Sequence, residues 1–179
     1  MSNILQSLNR TIIAGIALAI IFFILLLNIW PGSNSWFADR YFWSAIFRYF
    51  HVLSGVMWIG LLWYFNFVQI PSMPKIPDDQ KPAIGKVIAP AALFWFRWAA
   101  LATIITGLIV AYLNEYIHHA LGLGLFGGDP KSITIGIGMW LGIIMAYNVW
   151  MVIWPNQKKA LGIIEVGADE KAKAAKTAM

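Results

Sequence analysis

The chain has 179 residues, of which 60% are hydrophobic and only 12% charged; soluble domains average about 25% charged residues. That length fits one domain, and the composition is that of an integral helical membrane protein with the lipid bilayer as its surroundings. The net charge of +5 reads as membrane topology and not as nucleic-acid binding, and the absence of cysteine excludes disulfides, cysteine-ligated zinc, iron–sulfur clusters and haem attached through C-x-x-C-H.

After a short polar start, Thr11 to Trp30 forms an almost unbroken apolar run. It is longer than the ~7–15 residues of a signal-peptide core, and it ends in Asn28, Trp30 and Pro31 without a small-x-small cleavage site. It predicts a first transmembrane helix over about 11–30, apolar all round and therefore at the edge of a bundle; a signal anchor with no other role is the alternative. Pro31 to Trp43 follows as a short loop. Trp36, Tyr41, Phe42 and Trp43 within it have the character of an interfacial aromatic belt.

The second helix, about 44–70, is the most informative stretch. Stepping by three or four from His51 meets Gly55, Trp58, Leu62, Asn66 and Gln69, which a helix stacks into one stripe. A polar stripe on a membrane helix faces protein and not lipid, so His51 is expected inside. The following segment, PSMPKIPDDQKPAIGKVIAP, holds five prolines and three lysines and reads as an exposed loop that no continuous helix can cross.

The third helix, about 91–119, carries an inward stripe of Arg97, Ala100, Ile104, Gly107, Ala111, Asn114 or Glu115, and His118. His119 is rotated away from it by about 100°. Arg97 lies between Trp95 and Trp98, and snorkelling to phosphate headgroups is its expected role; a partner such as Gln69 or Asn66 is the alternative. LGLGLFGGDPK is a glycine-rich turn. The fourth helix, about 132–154, carries Ser132, Gly136, Gly138 and Gly142, two small-xxx-small pairs that signal close helix packing; Asn148 is expected to bond across helices. Pro155 stops this helix, and 156–179 is a charged tail expected as an amphipathic or frayed helix in water.

The expected fold is an all-α, four-transmembrane-helix antiparallel bundle over 1–155. Four crossings put ten basic residues on one side (Arg10, Lys75, Lys81, Lys86, Arg97, Lys158, Lys159, Lys171, Lys173, Lys176) and Arg40, Arg48 and Lys131 on the other. The positive-inside rule then places both termini and the tail in the cytoplasm of a bacterial inner membrane, with all three histidines toward the outer face.

Two cofactor readings follow from the histidines. A b-type haem between the second and third helices would use His51 as axial ligand and His118 as a second. Gly55 and Gly107 would make room for the macrocycle beside Trp58, and Arg48 or Arg40 would pair with a propionate. The other reading is copper or zinc, held either where His51 and His118 converge with Glu115 or as a single surface ion at Glu115 and His118, a carboxylate and histidine three apart, with His119 or Asp129 added. Against both stands a buried histidine simply bonded to a neighbouring helix, with no cofactor. No P-loop, nucleophile elbow, H-E-x-x-H or dinucleotide fingerprint occurs, so nothing builds a hydrolase or kinase.

The segments RYFHVLSGVMWIGLLWYFNFVQIP, WFRWAALATIITGLIV and MWLGIIMAYNVWMVIWPNQKKALG resemble the membrane domain at the N-terminus of bacterial urate hydroxylases. The similarity covers most of residues 44–162. Its more specific parts are His51, Gly55, Trp58, Ile59 and Gly60, and the run from Trp154 to Lys158. The second helix is also similar, more distantly, to the histidine helix of small haem-binding or copper-handling four-helix membrane families. The resemblance implies an oxidoreductase module that passes electrons toward a periplasmic cytochrome c. This chain departs from the family in lacking C-x-x-C-H, and the family continues with further hydrophobic helices after the tail. A contrasting expectation is a non-catalytic subunit of a larger respiratory-type membrane complex, or a homo-oligomer, docking through its aromatic belts and small-residue faces.

Overall fold

The computed structural model describes residues 2–29, 32–125 and 129–178. It is all-helical, 85% helix with no strand among the described residues. The expected helix end at Trp30, the turn at Pro31 and residues 126–128 of the glycine-rich turn lie outside the described residues. Four helices are long and apolar enough to cross a membrane, as a multi-pass membrane protein requires: α1 (Leu8–Ile29), α2 (Arg40–Lys75), α3 (Lys81–Leu113) and α5 (Pro130–Ala160). Two shorter ones are α4 (Ile117–Leu121) and α6 (Ala168–Thr177). The chain divides into two compact units, residues 1–43 and 44–179.

In the first unit α1 buries no residue. The aromatic residues after it form a cluster of their own. Phe37 lies edge-on to Phe42 and to Phe23, and Phe42 stacks on Trp36. The indole of Trp43 donates to the Phe37 carbonyl at 2.9 Å.

In the second unit α2 and α3 run antiparallel. Ser44 near the start of α2 meets Asn114 just past the end of α3, while Phe65 far along α2 meets Phe96 early in α3. Helix α5 is antiparallel to α3 in turn, with Trp150 against Trp98 and Gly142 against Ile104. The core sits among the three helices, built from Trp58, Phe96, Ala99, Ala100 and Val149. Alanines at 99 and 100 let the helix backbones approach, the contribution small residues make where lipid offers no hydrophobic drive to associate. Gly136 does the same for α5: a Cβ there would collide with the Ala120 carbonyl of α4.

The proline-rich segment is not the long loop its sequence suggests. Helix α2 continues to Lys75 and α3 begins at Lys81, leaving a short connection in which Lys81 pairs with Asp78 at 2.6 Å. Proline lacks an N–H and its ring crowds the carbonyl four residues earlier. Each of α2, α3 and α5 answers with a π-helical turn just ahead of a proline: Tyr64–Gln69 before Pro71, Ile84–Ile88 before Pro90 and Asn148–Ile153 before Pro155. The wider turn moves the crowded carbonyl aside, and the helix goes on.

The third helix also ends earlier than expected. It stops at Leu113, and Glu115 turns to φ 64° before α4 starts. The tail is ordered as well. Helix α6 folds back onto the end of α5, with Ala174 buried and Glu170 bonded to Lys159 at 2.6 Å.

Candidate functional site

His51 projects from α2 toward α3, as the polar stripe predicts. Its Nδ1 lies 2.9 Å from the Thr103 carbonyl oxygen. A carbonyl only accepts, so Nδ1 carries the proton and Nε2 keeps its lone pair. The Thr106 hydroxyl already donates to the Ala102 carbonyl at 2.6 Å and stands 3.3 Å from Nδ1, a second and weaker acceptor. Gly107 supplies the surface on which the ring lies: a Cβ there would come to 2.9 Å from His51 Cε1 and 3.1 Å from Nδ1. Only glycine leaves the imidazole in this position.

Beside the ring opens a cavity of about 390 Å³. Its walls are His51 from α2, Thr103 to Val110 on one face of α3, Tyr116, and Ile135, Gly138, Met139, Gly142 and Ile143 of α5. The small-residue face of α5 therefore has two uses. Ser132 and Gly136 pack the helix, while Gly138 and Gly142 clear space next to the histidine. Met139 is the residue that sequence reasoning passed over; its position between those glycines was the available signal. A thioether is a soft ligand that suits copper(I) or a haem iron.

The other expected site residues lie elsewhere. His118 is exposed on α4 and does not line this cavity. The break at Glu115 turns the helix so that His119, not His118, faces inward, and the buried Nδ1 of His119 has no hydrogen-bond partner. Glu115 is exposed. Among the described residues no three histidine, aspartate or glutamate side chains gather to hold a metal ion, so His51, His118 and Glu115 form no such group. Trp58 belongs to the core, a full two turns along α2 from His51. Gly55 makes an ordinary contact at 4.0 Å with the Thr103 methyl, and Arg48 is exposed.

Arg97 does not snorkel. It is only 8% exposed, and its guanidinium stacks on the Trp154 ring at 3.4 Å, a cation–π contact that desolvation strengthens. One of its terminal nitrogens is buried without a partner. Asn148 is exposed and so lies off the packed face of α5.

Outside the spans, Asp129 caps α5. Its carboxylate accepts from the Ser132 N–H at 3.0 Å, and hydrogen bonding from Ser132 holds its pKa below the usual carboxylate value. Asp78 is held low in the same way by the hydrogen bond from Lys81.

Compared with known proteins, the chain matches no family model, and no curated protein or solved structure is significantly similar to it.

Proposed function

We propose that the chain is a membrane redox protein that holds a b-type haem through His51. The observation that carries this reading is the fixed tautomer: Nδ1 is committed to the Thr103 carbonyl, and Nε2 keeps a lone pair beside a cavity of about 390 Å³. A metal-ligating histidine characteristically donates its other nitrogen to a backbone carbonyl, which orients the ring and raises its basicity. Gly107 gives the ring its place, and the apolar walls of α3 and α5 keep water from a bound macrocycle. Haem bound there would supply one-electron transfer. The distribution of basic residues supports an inner-membrane orientation with this end outward, and the resemblance to urate hydroxylase membrane domains supports a cytochrome c as the electron partner.

The test is absorption spectroscopy of protein purified from haem-replete cells. The expected result is a Soret band of b type, lost in His51→Ala and retained in His118→Ala. A colourless, metal-free preparation overturns the proposal. Met139 favours one second reading, a copper ion held by His51 and Met139. Metal analysis separates it from haem, since copper would be lost in both His51→Ala and Met139→Leu.

A further inference from the structure

The wall of the His51 cavity carries few groups that could face the imidazole as a second ligand. Thr103 spends its hydroxyl on the Ala99 carbonyl at 2.8 Å, and Tyr116 lies past the end of α3, nine residues beyond Gly107. Met139 of α5 is the remaining lining side chain with a soft lone pair. Its height follows from the helix contacts. Gly142 stands against Ile104, where a Cβ would come to 3.6 Å from the isoleucine side chain. Met139 is three residues back along α5, and Gly107 is three residues on along α3. The two helices are antiparallel, so both steps lead the same way by about 4.5 Å. Met139 is therefore level with Gly107, the residue on which the His51 ring lies. Helices α2 and α5 bring a nitrogen lone pair and a thioether to one cavity at one height, with α3 as the floor between them. Gly138 and Gly142 flank Met139 on the wall and have no side chain to fill the space. The unbranched methionine, with three rotatable bonds, adjusts its reach within that space.

We propose that Met139 is the second axial ligand, opposite His51; the inference rests on the reading of this cavity as a b-type haem site. A methionine opposite a histidine raises the reduction potential of a haem, which suits a carrier that gives electrons to a cytochrome c. With both axial positions taken by the protein, none is left for dioxygen, so the site carries electrons and does not activate oxygen. The two side chains have unequal parts: His51 holds the haem, and Met139 closes it. A copper ion bound by the same pair would need both to stay in place at all.

The test uses the full-length protein purified with haem bound. The oxidised wild type should show a thioether–iron charge-transfer band in near-infrared magnetic circular dichroism. Met139→Leu should keep the Soret band, lose the near-infrared band, lower the midpoint potential and raise the affinity of the reduced protein for carbon monoxide at least tenfold. Met139→His should close the site again and bring the carbon monoxide affinity back toward wild type while the potential stays low. Ile143→Leu, on the same wall, should leave all of these unchanged. If Met139→Leu does not fold, the band in the wild type decides. A haem-loaded wild type without that band, or Met139→Leu with wild-type potential and carbon monoxide affinity, overturns the proposal and leaves His51 as a ligand. A wild type that carries no haem overturns the underlying haem reading as well.

Discussion

Gly107→Ala is the sharpest probe of the His51 site because its effect should change sign with the residue at position 51. A Cβ at 107 would lie 2.9 Å from Cε1 and 3.1 Å from Nδ1 of His51, so the ring must move. Overpacking of this kind costs roughly 1–3 kcal/mol. Displacing the ring also loosens the Nδ1–Thr103 hydrogen bond, a net loss of about 0.5–1.5 kcal/mol. Against these stands the helix preference of alanine over glycine, about 0.8–1.0 kcal/mol. The balance is a destabilisation on the order of 1–3 kcal/mol. In a His51→Ala background the clash and the bond are both gone, and only the helix preference remains. Gly107→Ala should then stabilise by roughly 0.5–1 kcal/mol. The assay is a double-mutant cycle read by reversible unfolding in mixed micelles. Gly142→Ala serves as the control, because its Cβ would stand 3.6 Å from Ile104 in ordinary contact. If Gly107→Ala costs the same with and without His51, the ring does not lie on Gly107 and the site geometry is refuted.

Removing the hydrogen bond from Asn114 to Ser44, 2.6 Å long between α2 and the end of α3, should show a coupling of about 0.6 and no more than ~1.7 kcal/mol in a double-mutant cycle, the range found within membranes. Trp154→Leu should destabilise by about 2 kcal/mol, because it leaves the buried Arg97 cation without its ring; with Trp154 in place, Arg97→Lys should also lose stability, since an ammonium cannot stack as a guanidinium does. Asp129 has a folded-state pKa below its ordinary value, so its contribution is present above the ordinary carboxylate range and lost as pH falls through the folded pKa. Thermal unfolding followed from pH 7 downward should show that acid-dependent loss in the wild type. Asp129→Asn should keep the cap but flatten the pH dependence, and Asp129→Ala should lose both.

The spans and the inner faces were legible because they rest on periodicity. The stripe from Arg97 through Ala100, Gly107 and Ala111 to Asn114 does face inward, and so do His51 and Trp58. Reading failed where local backbone chemistry changes the period. Prolines 71, 82 and 90 looked like breakers, yet Pro82 stands in the first turn of α3, where no N–H is required, and Pro71 and Pro90 each follow a π turn that lets the helix continue. Glu115 gave no warning of a left-handed turn, a conformation in which glycine or asparagine is the usual signal, and so the stripe was carried on to His118 instead of His119. Arg97 was misjudged because its position in sequence suggested an interface, while its stacking partner lies 57 residues away on α5. The pairing of His51 with Gly107 was legible as two inward residues. Met139 was not, because which small-residue gap stays open depends on three helices at once.

The π turn in α5 also sets the phase of everything after it. Val149 is buried, and eight residues on so is Gln157. In an uninterrupted α-helix at ~100° per residue, a residue eight ahead points about 80° away, and the seventh, Asn156, would come within about 20° of Val149. One extra residue in the Asn148–Ile153 turn shifts the count, and Gln157 takes the inward bearing. Proline 155 thus decides which amide is inside without touching it. An alanine at 155 would let the turn tighten, advance the helix by one step and bring Asn156 round in place of Gln157. The helix behaves as a dial whose setting is fixed by a missing N–H.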